Sequence, residues 1–266
     1  DWVDYGQAPG PMVINLQTGV ATGDGTDTLS NIEAVIGSRF DDSLVGANVS
    51  LTYFRMGAGN DTIVGNGASD IIDYSDAPNG VVIIGGASGA GTVTGHGTDV
   101  YSGIENLFGS QHADSMVGSS LGEGFRVRNG ADTVDGLGGN DRIDYRATGN
   151  VVNVNLETGI GQGADGNDTI RNVENLSGSD VNGTDTLVGN AGANRIDGRI
   201  GDDSIVGGGG DDSLTGGAGN DTLVGGTQTN FDFADYGGTT TPVVANLTTG
   251  VATGDGTDTL SNIEAV

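Results

Sequence analysis

The chain has 266 residues, 52 of them glycine and 4 proline, with 36 acidic residues against 9 basic ones and a formal net charge of -27. A charge this negative repels nucleic acid and anionic membrane surfaces, and the lack of cysteine excludes disulfides, zinc thiolates and a thiol nucleophile. All the bases are arginine, two histidines (His96 and His112) leave little for imidazole metal sites, and glycine without a Gly-X-Y period is not collagen. No apolar run approaches the ~20 residues that a bilayer-spanning helix needs. The acids are spaced regularly among Leu, Ile and Val, which disordered segments lack. Regular carboxylates with so few basic partners point to a cation as the missing positive charge.

In chain order, four related units open at DWVDY (Asp1), DIIDY (Asp70), DRIDY (Asp141) and DFADY (Asp232), with starts 69, 71 and 91 residues apart. They divide the chain into 1–69, 70–140, 141–231 and a shortened 232–266, expected to form one continuous solenoid. An alternating apolar strand follows the opening, as at 12–16, 151–156 and 243–247. A turn and a Glu motif come next, at 25–35, 97–107, 166–176 and 256–266, and these turns contain Asp27, Asp99, Asp168 and Asp258. Residues 20–35 recur unchanged at 251–266. The sequence stops mid-unit, so a longer polypeptide with more such units is expected.

A second period, of nine residues, runs inside the units. The third reads GRIGDDSIV at 198–206, GGGGDDSLT at 207–215 and GGAGNDTLV at 216–224. Asp203, Asp212 and Asp221 each have an apolar residue two positions on, at Ile205, Leu214 and Leu223. Asp185 with Leu187, and Asn194 with Ile196, hold the same register upstream. The second unit keeps it through Glu105, Asp114, Glu123, Asp132 and Asp141, and the first through Glu33 and Asp42, then Asp61 and Asp70 after a slip of one residue.

The chemistry of this spacing can be read directly. Glycine-rich turns reach positive φ and let carbonyls face inward without a Cβ in the way. In the extended residues that follow, the Asp and the apolar residue two later share a side. Two nonapeptides therefore make a coil of 18 residues, and coils stack at the strand spacing of ~4.8 Å. Asp203 then lies one coil below Asp221, and Asp114 one coil below Asp132. Carboxylates about 5 Å apart repel by roughly 3 kcal/mol at an effective dielectric near 20. Calcium reverses that sign, because it takes carboxylate and carbonyl oxygens together in flexible geometry, whereas magnesium demands a tighter octahedron.

The pattern GGxGxDxUx, with U apolar, resembles the calcium-binding nonapeptide of the RTX family. The resemblance is strongest at 207–215 and 216–224, and the longer units look like the tandem modules of large secreted or cell-surface RTX proteins. It implies an all-β chain folded as a parallel β-roll (a right-handed β-solenoid) with longer strand-rich inserts and several calcium ions. The expected ligands are Asp203, Asp212, Asp221, Asp185 and Asn194, with Asp42, Asp61, Asp70, Asp114, Asp132 and Asp141, and with Asp27, Asp99, Asp168 and Asp258.

Other residues carry weaker expectations. Glu33, Glu105 and Glu174 are either ligands or caps on the turn. Tyr5, Tyr74, Tyr145 and Tyr236, where the roll meets the longer strands, are expected to pack or hydrogen-bond rather than bind a ligand. Thr28, Ser43, Thr62, Ser204, Ser213 and Thr222 are expected to face outward. The carboxylate pairs recur at every coil, so none stands out as catalytic, and there is no P-loop, nucleophile elbow or HExxH. The expectation is a non-enzymatic, calcium-folded stalk, adhesin or surface-layer element outside the cell, without membrane insertion, that can associate with further copies of itself. The alternative is the calcium-folded tail of a secreted enzyme or an RTX toxin.

Overall fold

The computed structural model describes residues 1–163, 166–227 and 231–266. These form two compact units, Asp1–Gly139 and Asn140–Val266. Almost every element is a short strand, and the one helical turn among the described residues is Ala87–Gly89. Among the described residues no helix is long and apolar enough to cross a membrane.

In Asp1–Gly139 one sheet is wholly parallel. It runs Trp2–Asp4, Ala34–Ile36, Tyr53–Arg55, Ile71–Asp73, Asn106–Phe108 and Gly124–Arg126. The facing sheet begins in the same way, with Val13–Asn15 beside Ser43–Val45 and then Thr62–Val64. There it meets an insert of a different kind. Thr62–Val64 pairs parallel with Thr98–Ser102, and Gly91–Thr94 and Val82–Gly85 fold back on it antiparallel. Val82–Gly85 then resumes parallel pairing with Ser115–Val117, which is followed by Thr133–Asp135. The expected strand-rich insert is thus a three-stranded meander laid inside one sheet. The other sheet passes it by, with Ile71 paired directly to Asn106. A similar meander, Val13–Asn15, Val20–Thr22 and Thr26–Thr28, opens the unit.

Asn140–Val266 repeats the plan. One sheet stacks Arg142–Asp144, Asn175–Ser177, Arg195–Ile200, Ser213–Ala218 and Phe233–Ala234 in parallel. The other stacks Asn153–Asn155, Thr186–Val188, Ser204–Gly208, Thr222–Gly226 and Thr257–Ser261. Meanders lie at Asn153–Asn155, Ile160–Gly163 and Gly166–Arg171, and at Val244–Asn246, Val251–Thr253 and Thr257–Ser261. The 18-residue coil is explicit here, since Thr186 pairs with Ser204 and Ser204 with Thr222.

The core follows from the pleat. In most of the three-residue strands the middle side chain is buried. Leu187, Ile205, Leu223 and Leu260 stack in register on one side, and Leu176, Ile196, Leu214 and Ala234 on the other; all are buried. In Asp1–Gly139 the corresponding rows are Ile14, Leu44 and Ile63, and Val35, Phe54, Ile72, Leu107 and Phe125. Each buried Leu or Ile stabilises the roll by about 1.5–3 kcal/mol. The Ser and Thr that follow the aspartates flank these inward residues and are exposed or half-buried, as expected.

Candidate metal centre

At both corners of the roll the aspartates form ladders. In Asn140–Val266 the backbone N–H of Val152 donates to Asp185 Oδ1 at 2.8 Å, that of Asp185 to Asp203 Oδ1 at 2.8 Å, that of Asp203 to Asp221 Oδ1 at 2.8 Å, and that of Asp221 to Asp258 Oδ1 at 2.9 Å. Along the other corner Asn194 donates to Asp212 at 2.8 Å, Asp212 to Asp232 at 2.9 Å, and Asp232 to Glu264 at 2.8 Å. Asp1–Gly139 shows the same arrangement. Met12 donates to Asp42, Asp42 to Asp61 and Asp61 to Asp99, each at 2.8 Å. Val81 donates to Asp114 and Asp114 to Asp132, while Thr52 donates to Asp70 and Asp70 to Glu105.

One carboxylate oxygen per residue is thereby spent on backbone, and the other decides the chemistry. Oδ2 of Asp61, Asp203, Asp212, Asp221 and Asp232 is buried with no hydrogen-bond donor. These side chains are at most 2% exposed. A buried, unpaired carboxylate oxygen is costly. What it faces is more oxygen. A Cβ added to Gly198 would lie 2.6 Å from Asp203 Oδ2 and 2.6 Å from the Gly216 carbonyl oxygen one coil on. A Cβ on Gly207 would lie 2.2 Å from Asp212 Oδ2 and 2.5 Å from the Gly225 carbonyl oxygen. Carboxylate and carbonyl oxygens thus converge on a niche that only glycine leaves open. Acceptors facing acceptors need a cation between them.

The turns are shaped for this. Arg199, Gly208 and Gly217, four residues before Asp203, Asp212 and Asp221, have φ of 83°, 110° and 103°. Arg199 holds a left-handed conformation that a side chain disfavours, and its guanidinium pairs with Asp180 at 2.9 Å, away from the ladder. Among the described residues no three carboxylates or imidazoles gather on one point. A cation would therefore take its remaining ligands from the turn carbonyls, which suits calcium with its 6–8 oxygen ligands.

Burial is the main force on these acids. It pushes Asp61 up to about 8, Asp203 and Asp212 to about 7, and Asp221 to about 6. The ladder hydrogen bond opposes the rise, and neighbouring carboxylates, such as Asp185 and Asp221 beside Asp203, add to it. Asp99, Asp114, Asp185 and Asp232 are raised as well, chiefly by burial.

The remaining expected ligands are placed differently. Ser38, Ser110 and Ser179 donate their N–H to Oδ2 of Asp42, Asp114 and Asp185. Gly67 donates to Asp70 Oδ2, and Asn190 to Asn194 Oδ1, whose amide nitrogen in turn donates to the Glu174 carbonyl. Asp132 accepts the Asp114 amide, and the Asp141 amide donates to Glu174. Asp27, Asp99, Asp168 and Asp258 accept the hydroxyls of Tyr5, Tyr74, Tyr145 and Tyr236. Glu105 and Glu174 each accept a ladder amide through one carboxylate oxygen, as the aspartates do. Asp232 was not among the expected ligands, yet it opens its unit just as Asp70 and Asp141 do. That shared position is the signal for it.

The geometry defines a parallel β-solenoid whose glycine turns present paired carboxylate and carbonyl oxygens to cations. The RTX calcium-binding nonapeptide repeat matches the chain in four copies, at residues 57–76, 126–148, 181–214 and 197–231, so these segments carry RTX calcium-binding repeats. The matched segments contain Asp61, Asp203, Asp212 and Asp221, whose Oδ2 is open. No curated protein matches the sequence.

Proposed function

We propose that the chain is a calcium-folded, non-catalytic structural segment of a secreted or cell-surface protein, serving as a stalk, adhesin or surface-layer element. The observation that carries this reading is the set of buried carboxylate oxygens aimed at turn carbonyls with no protein donor between them. The nine arginines do not answer for 36 acids. Those paired with acids reach Asp73, Asp76, Asp144, Asp180, Asp197 and Asp235 rather than the open ladder positions. Calcium sites of extracellular modules work at about 10⁻⁴–10⁻³ M, a range that lets such a chain remain unfolded inside a cell and fold outside it. Nothing in the repeated turns singles out a catalytic pair. Further copies of the repeat extend the same stack, since each coil contacts only its neighbours.

Circular dichroism tests the calcium dependence. Strand signal should be lost in EGTA and return on adding calcium. Full strand signal after thorough removal of metal overturns the reading.

A further inference from the structure

The fate of Oδ2 distinguishes two sets among the aspartates. In the open set, Asp61, Asp203, Asp212, Asp221 and Asp232, it has no hydrogen-bond partner. In the closed set a protein donor already occupies it. The N–H groups of Ser38, Ser110 and Ser179 reach Oδ2 of Asp42, Asp114 and Asp185 at 2.6, 2.7 and 2.7 Å. The hydroxyls of Tyr5, Tyr74, Tyr145 and Tyr236 reach Oδ2 of Asp27, Asp99, Asp168 and Asp258 at 2.8, 2.7, 2.9 and 2.7 Å.

We propose that these serines and tyrosines are hydrogen-bonding closures standing in for calcium, so that the ion binds the open set alone and each ladder is cut into separate calcium blocks. The proposal rests on the reading of the open set as calcium ligands. Three observations support it. A donor aimed at Oδ2 puts a hydrogen where a cation would need to approach. The phenol also takes up the space, because a Cβ on Gly161 would lie 2.1 Å from the Tyr145 hydroxyl, whereas at Gly198 and Gly207 the two nearest atoms are a carboxylate and a carbonyl oxygen. Finally, the closures fall at fixed places in the fold. All four tyrosine partners lie on the last strand of a meander, in Thr26–Thr28, Thr98–Ser102, Gly166–Arg171 and Thr257–Ser261. The block therefore ends where the meander joins the roll, and that joint is held by hydrogen bonds rather than by ions.

Asparagine substitution separates the two sets, because its Oδ1 still accepts the ladder amide while the charge is lost. Calcium bound to the full chain is counted by isothermal titration calorimetry and by metal analysis after desalting. Asp203→Asn should lower the number of ions bound or weaken them by about tenfold or more. Asp99→Asn and Asp258→Asn should leave number and affinity unchanged, and so should Asp114→Asn from the serine-closed group, which carries the test if the other two do not fold. Loss of calcium in a closed-set variant equal to that in Asp203→Asn overturns the proposal while the calcium reading stands. A wild-type chain that binds no calcium overturns both.

Discussion

The backbone amide of Asp203 donates to Oδ1 of Asp221, the equivalent residue one coil later, at 2.8 Å. The roll thus sets its own ion ligands, because a bond that joins successive coils also orients each carboxylate so that its second oxygen turns toward the glycine niche. Asp212→Ala removes that acceptor and leaves the buried Asn194 amide unpaired. Losing a charge-assisted bond of this kind costs about 1.5–3 kcal/mol. The expected result is a calcium midpoint raised by roughly 10- to 100-fold, read by calorimetry and circular dichroism. An unchanged isotherm would mean that Asp212 is not in the ion path.

Glycine at the niche is equally exposed to test. Gly207→Ala places a methyl group 2.2 Å from Asp212 Oδ2 and 2.5 Å from the Gly225 carbonyl oxygen. Overpacking of this sort costs about 1–3 kcal/mol, and here it also fills the space an ion needs. Fewer calcium ions should bind than to wild type. Gly138→Ala, where a Cβ meets nothing within 4 Å, is the control and should bind the full number.

Acid should act in opposite directions on the metal-free and calcium-loaded chains. The folded state raises Asp61 to about 8, Asp203 and Asp212 to about 7 and Asp221 to about 6, above an ordinary Asp near 3.9. An acid raised on folding contributes stability that is fully present below its unfolded value and is lost as pH rises through its folded value. The metal-free chain should therefore gain strand signal as pH is lowered from about 8 toward about 4. Calcium needs the same groups ionised, so its half-saturation concentration should rise across the upper part of that window. A calcium midpoint independent of pH between about 6 and 8 would count against these aspartates as ligands.

Tyr74→Phe keeps the buried ring and removes only the donor to Asp99 Oδ2. The carboxylate then loses its partner, at a cost of about 1–3 kcal/mol. Thermal unfolding in saturating calcium should show a lowered midpoint. Tyr5→Phe, whose partner Asp27 is exposed, should show a smaller shift.

Much of this was legible in the residues. Asp and an apolar residue two later repeat every nine positions, and that repeat alone gives the coil, the stacked core and the position of Asp203 below Asp221. The meanders were legible only as extra strands. Their antiparallel course depends on turns such as the one at Gly19, with φ of 69°, and on pairing of Val13 with Thr22, which a short alternating run does not announce. The closures were hidden for a different reason. Tyr74 and Asp99 are 25 residues apart, and only the fold brings the hydroxyl to the carboxylate. The Gly-Ser pairs at 37–38, 109–110 and 178–179 were a local signal of the serine closures, since each precedes its aspartate by a few residues.

Among the described residues the ladder bonds within each unit point the same way along the chain. The donor belongs to the earlier coil and the acceptor to the later one, from Asp42 to Asp61 to Asp99 and from Asp185 to Asp203 to Asp221. Growth of the stack is therefore not symmetric. A roll lengthened at its carboxyl end always carries a frontier amide whose acceptor has yet to arrive, whereas one lengthened at its amino end meets a waiting carboxylate at each step. The two directions of assembly differ in what they leave unsatisfied at the tip: a backbone amide at the carboxyl end, and a carboxylate oxygen at the amino end.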